Sequence, residues 1–245
     1  MGKTAFLNSC LAALMVCVTC VAVTAQDVTV FAAASLRGAL DEVAALSSDT
    51  VAISYGGSGA MARQVAQGAP ADVVVLANPQ WMDWLQEQGS VGPDTAAPLL
   101  TNTLVLIGHT GPALSDPDAT ALLARLGDQR LAIGQRQSVP AGIYARAWLE
   151  QIGAWDALEP HLAEVENVRA ALALVARGDA PLGVVYGSDA LAEPKVSVLW
   201  QIPEDQHPPI TYPAAALTPA GAAFMDTLRS PQAAGIFSKY GFGLP

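Results

Sequence analysis

Val28-Thr29-Val30-Phe31-Ala32-Ala33-Ala34-Ser35-Leu36 joins a short apolar run to a serine that precedes a helical repeat. The run over residues 28–32 reads as a buried strand. Leu36, Ala39, Leu40 and Val43 follow at i, i+3, i+4, i+7, which predicts an amphipathic helix with Ser35 at its N-cap. The unit then repeats. A second strand covers residues 51–55, Gly56-Gly57-Ser58-Gly59 makes a turn, and a helix runs over 60–67 until Gly68 and Pro70 stop it. A third strand covers 73–77 and a third helix 80–88, closed by Gly89. Strand alternating with helix predicts an α/β fold built on a parallel sheet with both faces covered.

Residues 89–98 are rich in Gly, Pro and polar side chains and read as a link. The strand expected over 104–108 leads into a second α/β stretch. There a strand over 130–133 precedes a helix over 143–152, whose apolar face is Ala145, Trp148, Leu149 and Ile152. The next helix carries Val168, Ala171, Leu172 and Val175 on one face, behind Asn167 as a cap. Strands follow over 182–186 and 196–200, then a polar, proline-rich link over 204–209. Residues 210–217 are apolar and extended. Thr218-Pro219 opens a helix with a cap and an N1 proline, and Pro231 opens the last helix. The chain has no internal repeat and no low-complexity tract.

The N-terminus belongs to a different class of segment. Lys3 precedes a nearly unbroken apolar stretch to Val23, and Val23-Thr24-Ala25 offers small or short residues where a signal peptidase cuts. Residues 1–25 are expected to be a cleaved secretory signal peptide. Cys10, Cys17 and Cys20 all lie inside it, so the secreted chain has no thiol for a disulfide, a metal site or a nucleophile. Cys20 follows Cys17-Val18-Thr19, a poor match to a lipid-attachment box, which favours a free product in the periplasm. Loss of Lys3 takes the net charge from −10 to −11. Nucleic acid, which needs basic surface to displace counterions, is excluded as a partner.

Several polar turns stand directly between a strand and a helix, where open α/β sheets bind ligands. Ala34-Ser35, Gly57-Ser58-Gly59, Pro140-Ala141-Gly142 and Asn167-Val168 each bring a helix start, with unpaired N–H groups and a positive dipole end. One serine before a helix is usually only a cap; four such turns suggest convergence on an anion. The acidic chain does not forbid this, because hydroxyls and backbone amides can hold a buried anion and remote surface charge is screened. A site made only of donors also favours an oxyanion without a proton over hydrogen phosphate, whose proton would need an acceptor.

Phe31-Ala32-Ala33-Ala34-Ser35-Leu36, Gly68-Ala69-Pro70-Ala71-Asp72 and Val139-Pro140-Ala141-Gly142-Ile143-Tyr144-Ala145 resemble motifs of the molybdate-binding periplasmic proteins of ABC transporters. So do Gly153-Ala154-Trp155-Asp156, Val168-Arg169-Ala170-Ala171-Leu172-Ala173-Leu174-Val175, the stretch from Ala180 to Ala190, and Gly235-Ile236-Phe237 with Tyr240-Gly241-Phe242. They occur in family order across essentially the whole secreted chain. The resemblance implies a two-lobed periplasmic-binding-protein fold with the ligand in the interlobe cleft: lobe one over 26–105 and 211–245, lobe two over 106–210. It implies ligand contacts by the hydroxyls of Ser35, Ser58 and Tyr186 and by the backbone N–H groups of Ala141 and Val168. The Ser58 turn departs from the family, being richer in glycine than its serine-rich form. Without the resemblance Tyr186 reads equally as a core tyrosine with a satisfied hydroxyl. The resemblance further implies molybdate or tungstate as ligand, no cofactor, no free metal cation, and a monomer that docks on a membrane permease driven by an ATPase.

Two rivals stand beside it. A receptor for sulfate, thiosulfate or another oxyanion would share the fold and differ in pocket radius. A secreted serine hydrolase using Ser35 or Ser58 is the remote alternative: Ala60 stands where a nucleophile elbow needs its last glycine, and His109, His161 and His207 lie in no catalytic motif. His207, beside Pro208-Pro209, reads as solvated loop. Asp41, Glu42, Asp72, Asp189 and Glu204-Asp205 lack cation-ligand spacing, and Asp72 and Asp189 are expected to hold loops near the cleft.

Overall fold

The computed structural model describes residues 27–245. The expected signal peptide lies outside the described residues. The first part of the chain forms β1 (Asp27–Ala33), α1 (Ala39–Ala44), β2 (Thr50–Gly56), α2 (Ser58–Ala66), β3 (Val73–Val75), α3 (Pro79–Glu87) and β4 (Ala97–Thr101). The second part forms β5 (Leu104–Gly108), α4 (Ala119–Leu126), β6 (Leu131–Gly134), α5 (Pro140–Gln151), α6 (Trp155–Leu158), β7 (Leu162–Val165), α7 (Val168–Ala176), β8 (Leu182–Tyr186), α8 (Gly187–Leu191) and β9 (Ser197–Gln201). The chain closes with β10 (Thr211–Ala216), α9 (Pro219–Leu228) and α10 (Pro231–Lys239). Two five-stranded sheets result, ordered β2-β1-β3-β10-β4 and β7-β6-β8-β5-β9. The fold is therefore α/β and two-lobed, each lobe a sheet flanked by helices. The chain passes between sheets through residues 102–103 and again through 202–210.

Strand alternation explains why the first sheet is apolar on both faces. Val28, Val30 and Ala32 of β1 enter the larger core with Leu36, Leu40 and Phe224. Phe31, one step out of phase, enters a second core with Met61, Met82 and Leu85. Val74 of β3 and Ala215 of β10 face the same way as Phe31, while Val73, Val75 and Ala214 face the other.

The sheets are mixed, where the alternation of strand and helix predicted parallel ones. β1 runs parallel to β2 and β3, and β6 to β7 and β8. β10 is antiparallel to β3 and β4, and β5 to β8 and β9. The reason is where these two strands come from. Each enters its sheet from the other lobe, at the end where neighbouring strands finish: Leu104, the first residue of β5, pairs with Tyr186, the last of β8.

Four local expectations are corrected. Ser35 does not cap a helix; it lies inside a 3-10 turn, Ala34–Leu36, and α1 begins only at Ala39. Gly38 between them has φ 87°, a conformation that favours glycine and interrupts the helical run. The link read over 89–98 ends in β4, which pairs Ala97 with Ala214. α4 and β7 went unread: the first opens at Asp118, whose carboxylate accepts from Ala121 N–H at 2.8 Å, and the second buries only Leu162 fully. His207 is buried rather than solvated, its ring 6.2 Å from that of Tyr144.

Candidate functional site

β1 and β2 of one lobe and β6, β7 and β8 of the other all end on a small cavity between the sheets. Ser35, Ser58, Ala141, Val168 and Tyr186 all line it, and none is more than 4% exposed. The structure thus brings the five sequence-predicted residues to one place. That position follows from topology, since the helices after these strands begin at the cleft.

The first lobe presents side chains. Ser58 is the first residue of α2, behind Gly57. Its Oγ accepts a hydrogen bond from Ala77 N–H at 2.9 Å, leaving its own proton free to donate. Ser35 Oγ lies 3.0 Å from the Tyr212 hydroxyl. Among the described residues, the side-chain hydrogen bonds of these serines go to Tyr212 and Ala77 and not to a histidine.

The second lobe presents backbone. α5 opens with Pro140, which has no N–H, so Ala141 carries the first amide of that helix. α7 opens behind Asn167, whose carbonyl oxygen accepts from Ala170 N–H at 2.9 Å, and Val168 is its first residue. First-turn amides have no partner within their helix, so the N–H groups of Ala141 and Val168 are donors without intrahelical acceptors. Tyr186 ends β8, and its hydroxyl is buried without a hydrogen-bond partner. Burial, with Tyr212, Tyr144 and Asp189 nearby, pushes its pKa well above the ordinary value, so it keeps its proton.

Tyr186 is the one titratable residue in the lining. The Asp189 carboxylate is fully buried and accepts from Tyr186 N–H at 3.3 Å. Its pKa is raised to about 6 by burial, against the pull of Arg169. Arg169 Nε stands 2.6 Å from Asp189 Oδ1 and forms an ion pair with it. Asp72, by contrast, is at the far end of the first sheet, where it accepts from Thr29 N–H at 2.8 Å and Thr218 O–H at 2.6 Å. It holds β1 to α9 and not the cleft.

Three contacts draw the lobes together. Arg169 Nη2 donates to the Ser35 carbonyl at 3.2 Å. Gly59 N–H and Trp81 Nε1–H both donate to the Ser138 carbonyl, at 3.2 and 2.9 Å. This approach accounts for the glycines around Ser58. A Cβ on Gly57 would collide with the Glu166 carbonyl oxygen, and one on Gly59 would lie 2.6 Å from the Ser138 oxygen and 2.6 Å from the Trp81 ring. Sequence reading missed Arg169, Trp81 and Ser138 as cleft-closing residues. Arg169 had a signal, its place beside Val168 at a helix start; the other two had none.

The family model of bacterial extracellular solute-binding proteins matches residues 28–243. With two lobes, a cleft and this match over nearly the whole chain, the protein belongs to the bacterial extracellular solute-binding protein family. Within it the relatives are specific. The molybdate-binding protein ModA of Escherichia coli is 42% identical over 226 residues, covering 88% of each chain. That of Haemophilus influenzae is 37% identical, covering 88% of this chain and 89% of its own. The solved periplasmic molybdate-binding protein of Azotobacter vinelandii superposes with a TM-score of 0.78 at 27% identity, covering 89% of this chain and 99% of that one.

Proposed function

We propose that this protein captures molybdate outside the cytoplasm and delivers it to an ABC importer. One observation carries the reading most directly. Ser35, Ser58, Ala141, Val168 and Tyr186 surround one buried cavity and offer hydroxyl and amide donors with no carboxylate among them. Such a shell stabilises a buried oxyanion by hydrogen bonds and helix dipoles, without a counter-charge. The molybdate-binding relatives supply the particular ion. Tungstate, of nearly the same size and charge, fits the same shell.

Capture is a closure. Ser35 and Ser58 stand on the lobe of residues 26–105 and 211–245, and Ala141, Val168 and Tyr186 on the lobe of residues 106–210. Neither half alone compensates the anion for lost water, so ligand favours the closed arrangement. The two crossings, 102–103 and 202–210, are the hinge. The signal peptide at residues 1–25 delivers a monomer to the periplasm, where its closed form docks on the permease that an ATPase drives.

Isothermal titration of ligand-free protein with molybdate, tungstate, sulfate and phosphate tests this. Tight one-to-one binding of the first two, with little heat from the others, is the expected result. Equal sulfate binding would keep the oxyanion receptor and overturn molybdate. Silence from all four would overturn the capture reading.

A further inference from the structure

We infer that Asn102 and Tyr212 are positioning residues that hold the Ser35 hydroxyl as a hydrogen-bond donor to the ligand and so select an oxyanion that carries no proton. The inference rests on the oxyanion-capture reading. Neither residue lines the cavity.

Thr103 N–H donates to Asn102 Oδ1 at 2.9 Å, and Ser188 N–H reaches the same oxygen at 3.4 Å. Backbone amides only donate, so this atom is the acceptor and the amide of Asn102 is fixed. Its Nδ2 must then be the donor to both neighbours, the Ser188 hydroxyl at 2.8 Å and the Tyr212 hydroxyl at 3.2 Å. Ser35 Oγ lies 3.0 Å from the Tyr212 oxygen, and the inference assigns Tyr212 as the donor of that bond, its oxygen already accepting from Asn102. Burial raises the Tyr212 pKa well above its ordinary value, so that proton stays. Ser35 Oγ accepts, and its own proton is left to point into the cavity. Ser58 reaches the same polarity by a shorter route, through Ala77 N–H.

The consequence is chemical. A serine free to rotate can donate to a bare oxyanion oxygen or accept from a protonated one. A serine held as donor can do only the first. A protonated oxyanion placed there would face a donor with a donor and leave a buried proton unpaired. The relay also begins in the crossing between the lobes, since Asn102 is in residues 102–103 and Ser188 is in α8.

Molybdate and hydrogen arsenate make the discriminating pair. At mildly alkaline pH both are tetrahedral dianions, and they differ by one proton, so the ratio of their affinities is insensitive to added charge. The ratio is measured by titration with molybdate and by competition with arsenate, in wild type, Tyr212→Phe and Asn102→Asp. Tyr212→Phe leaves Asn102 bonded to Ser188 and keeps the ring's edge contacts to Tyr186 and Phe242. It should weaken molybdate about tenfold while arsenate holds or gains, lowering the ratio by about tenfold. Asn102→Asp cannot donate to Tyr212, so it reverses the relay. Both dianions should weaken, and the ratio should fall at least as far. Thermal melting reports whether each variant is folded; if Tyr212→Phe is not, Asn102→Asp carries the test. An unchanged ratio overturns the inference, including the case in which arsenate competes with none of the proteins. If wild type binds no molybdate, the capture reading fails and the inference with it; if it binds while the ratio holds, only the inference fails.

Discussion

The two lobes build their halves of the cavity from different material. The first offers Ser35 and Ser58, hydroxyls that a point mutation removes. The second offers the amides of Ala141 and Val168, which every residue except proline would supply, and one hydroxyl, Tyr186. On the proposed reading, the difference teaches how a site can prefer an anion without a cation. Side chains set the direction of donation on one side, and helix starts set it on the other. It also separates two kinds of mutational sensitivity, and the following experiments break or sharpen that separation.

The largest effect should come from neither set of donors. Gly57→Ala puts a Cβ on the Glu166 carbonyl oxygen, so the lobes cannot close as they do here. Molybdate affinity should fall about 100-fold while the melting temperature changes little. Wild-type affinity would show that the cleft closes without this contact.

Ser35→Ala should follow, at roughly 30-fold, the value of a charge-assisted hydrogen bond lost from a buried anion. Titration giving an unchanged affinity would remove Ser35 from the site. On the opposite lobe, Ala141→Pro deletes an N–H and should cost about tenfold, whereas Ala141→Ser keeps it and should cost less than about threefold. Equal affinities for these two variants would mean that the Ala141 amide does not touch the ligand, and the contrast between lobes would collapse.

Tyr186→Phe is the intermediate case, a side-chain donor on the backbone lobe. Its hydroxyl has no protein partner, so removing it should cost up to about tenfold in affinity and leave folding intact. An unaltered titration would return Tyr186 to the hydrophobic core.

The smallest effect on binding, and the clearest on stability, is expected at Asp189. Its pKa is raised from 3.8 to about 6 by burial, with Arg169 opposing. The folded state therefore holds more protons than the unfolded state between about pH 4 and pH 6, and stability contributed by this group falls as pH rises through that window. Urea unfolding across the window should show a shallower decline in Asp189→Asn than in wild type. Identical slopes would mean that the carboxyl titrates normally.

Much of the fold was legible because its signals are local. The strand at residues 182–186 matches β8 residue for residue, and the caps at Asn167 and Thr218 accept from Ala170 and Gly221 as their spacing predicts. That Ser35, Ser58, Ala141 and Val168 stand at turns after strands was legible too; Tyr186 was reached only through the family resemblance, because a strand tyrosine reads as core. β4, α4 and β7 were not, being short and only partly apolar in pattern. The relay from Asn102 through Tyr212 had no signal at all: Tyr212 is 177 residues from Ser35, and a strand tyrosine reads as core.

The sequence by itself determined the alternation of strand and helix and the donors at the helix starts, because strand periodicity, caps and glycines act within a few residues. Tertiary structure alone decided that the sheets are mixed, that Gly57 and Gly59 answer to carbonyls of the opposite lobe, and that Ser35 meets the Tyr212 hydroxyl. Those outcomes depend on what lies across the cleft, and no spacing along a chain records a neighbour brought there by folding.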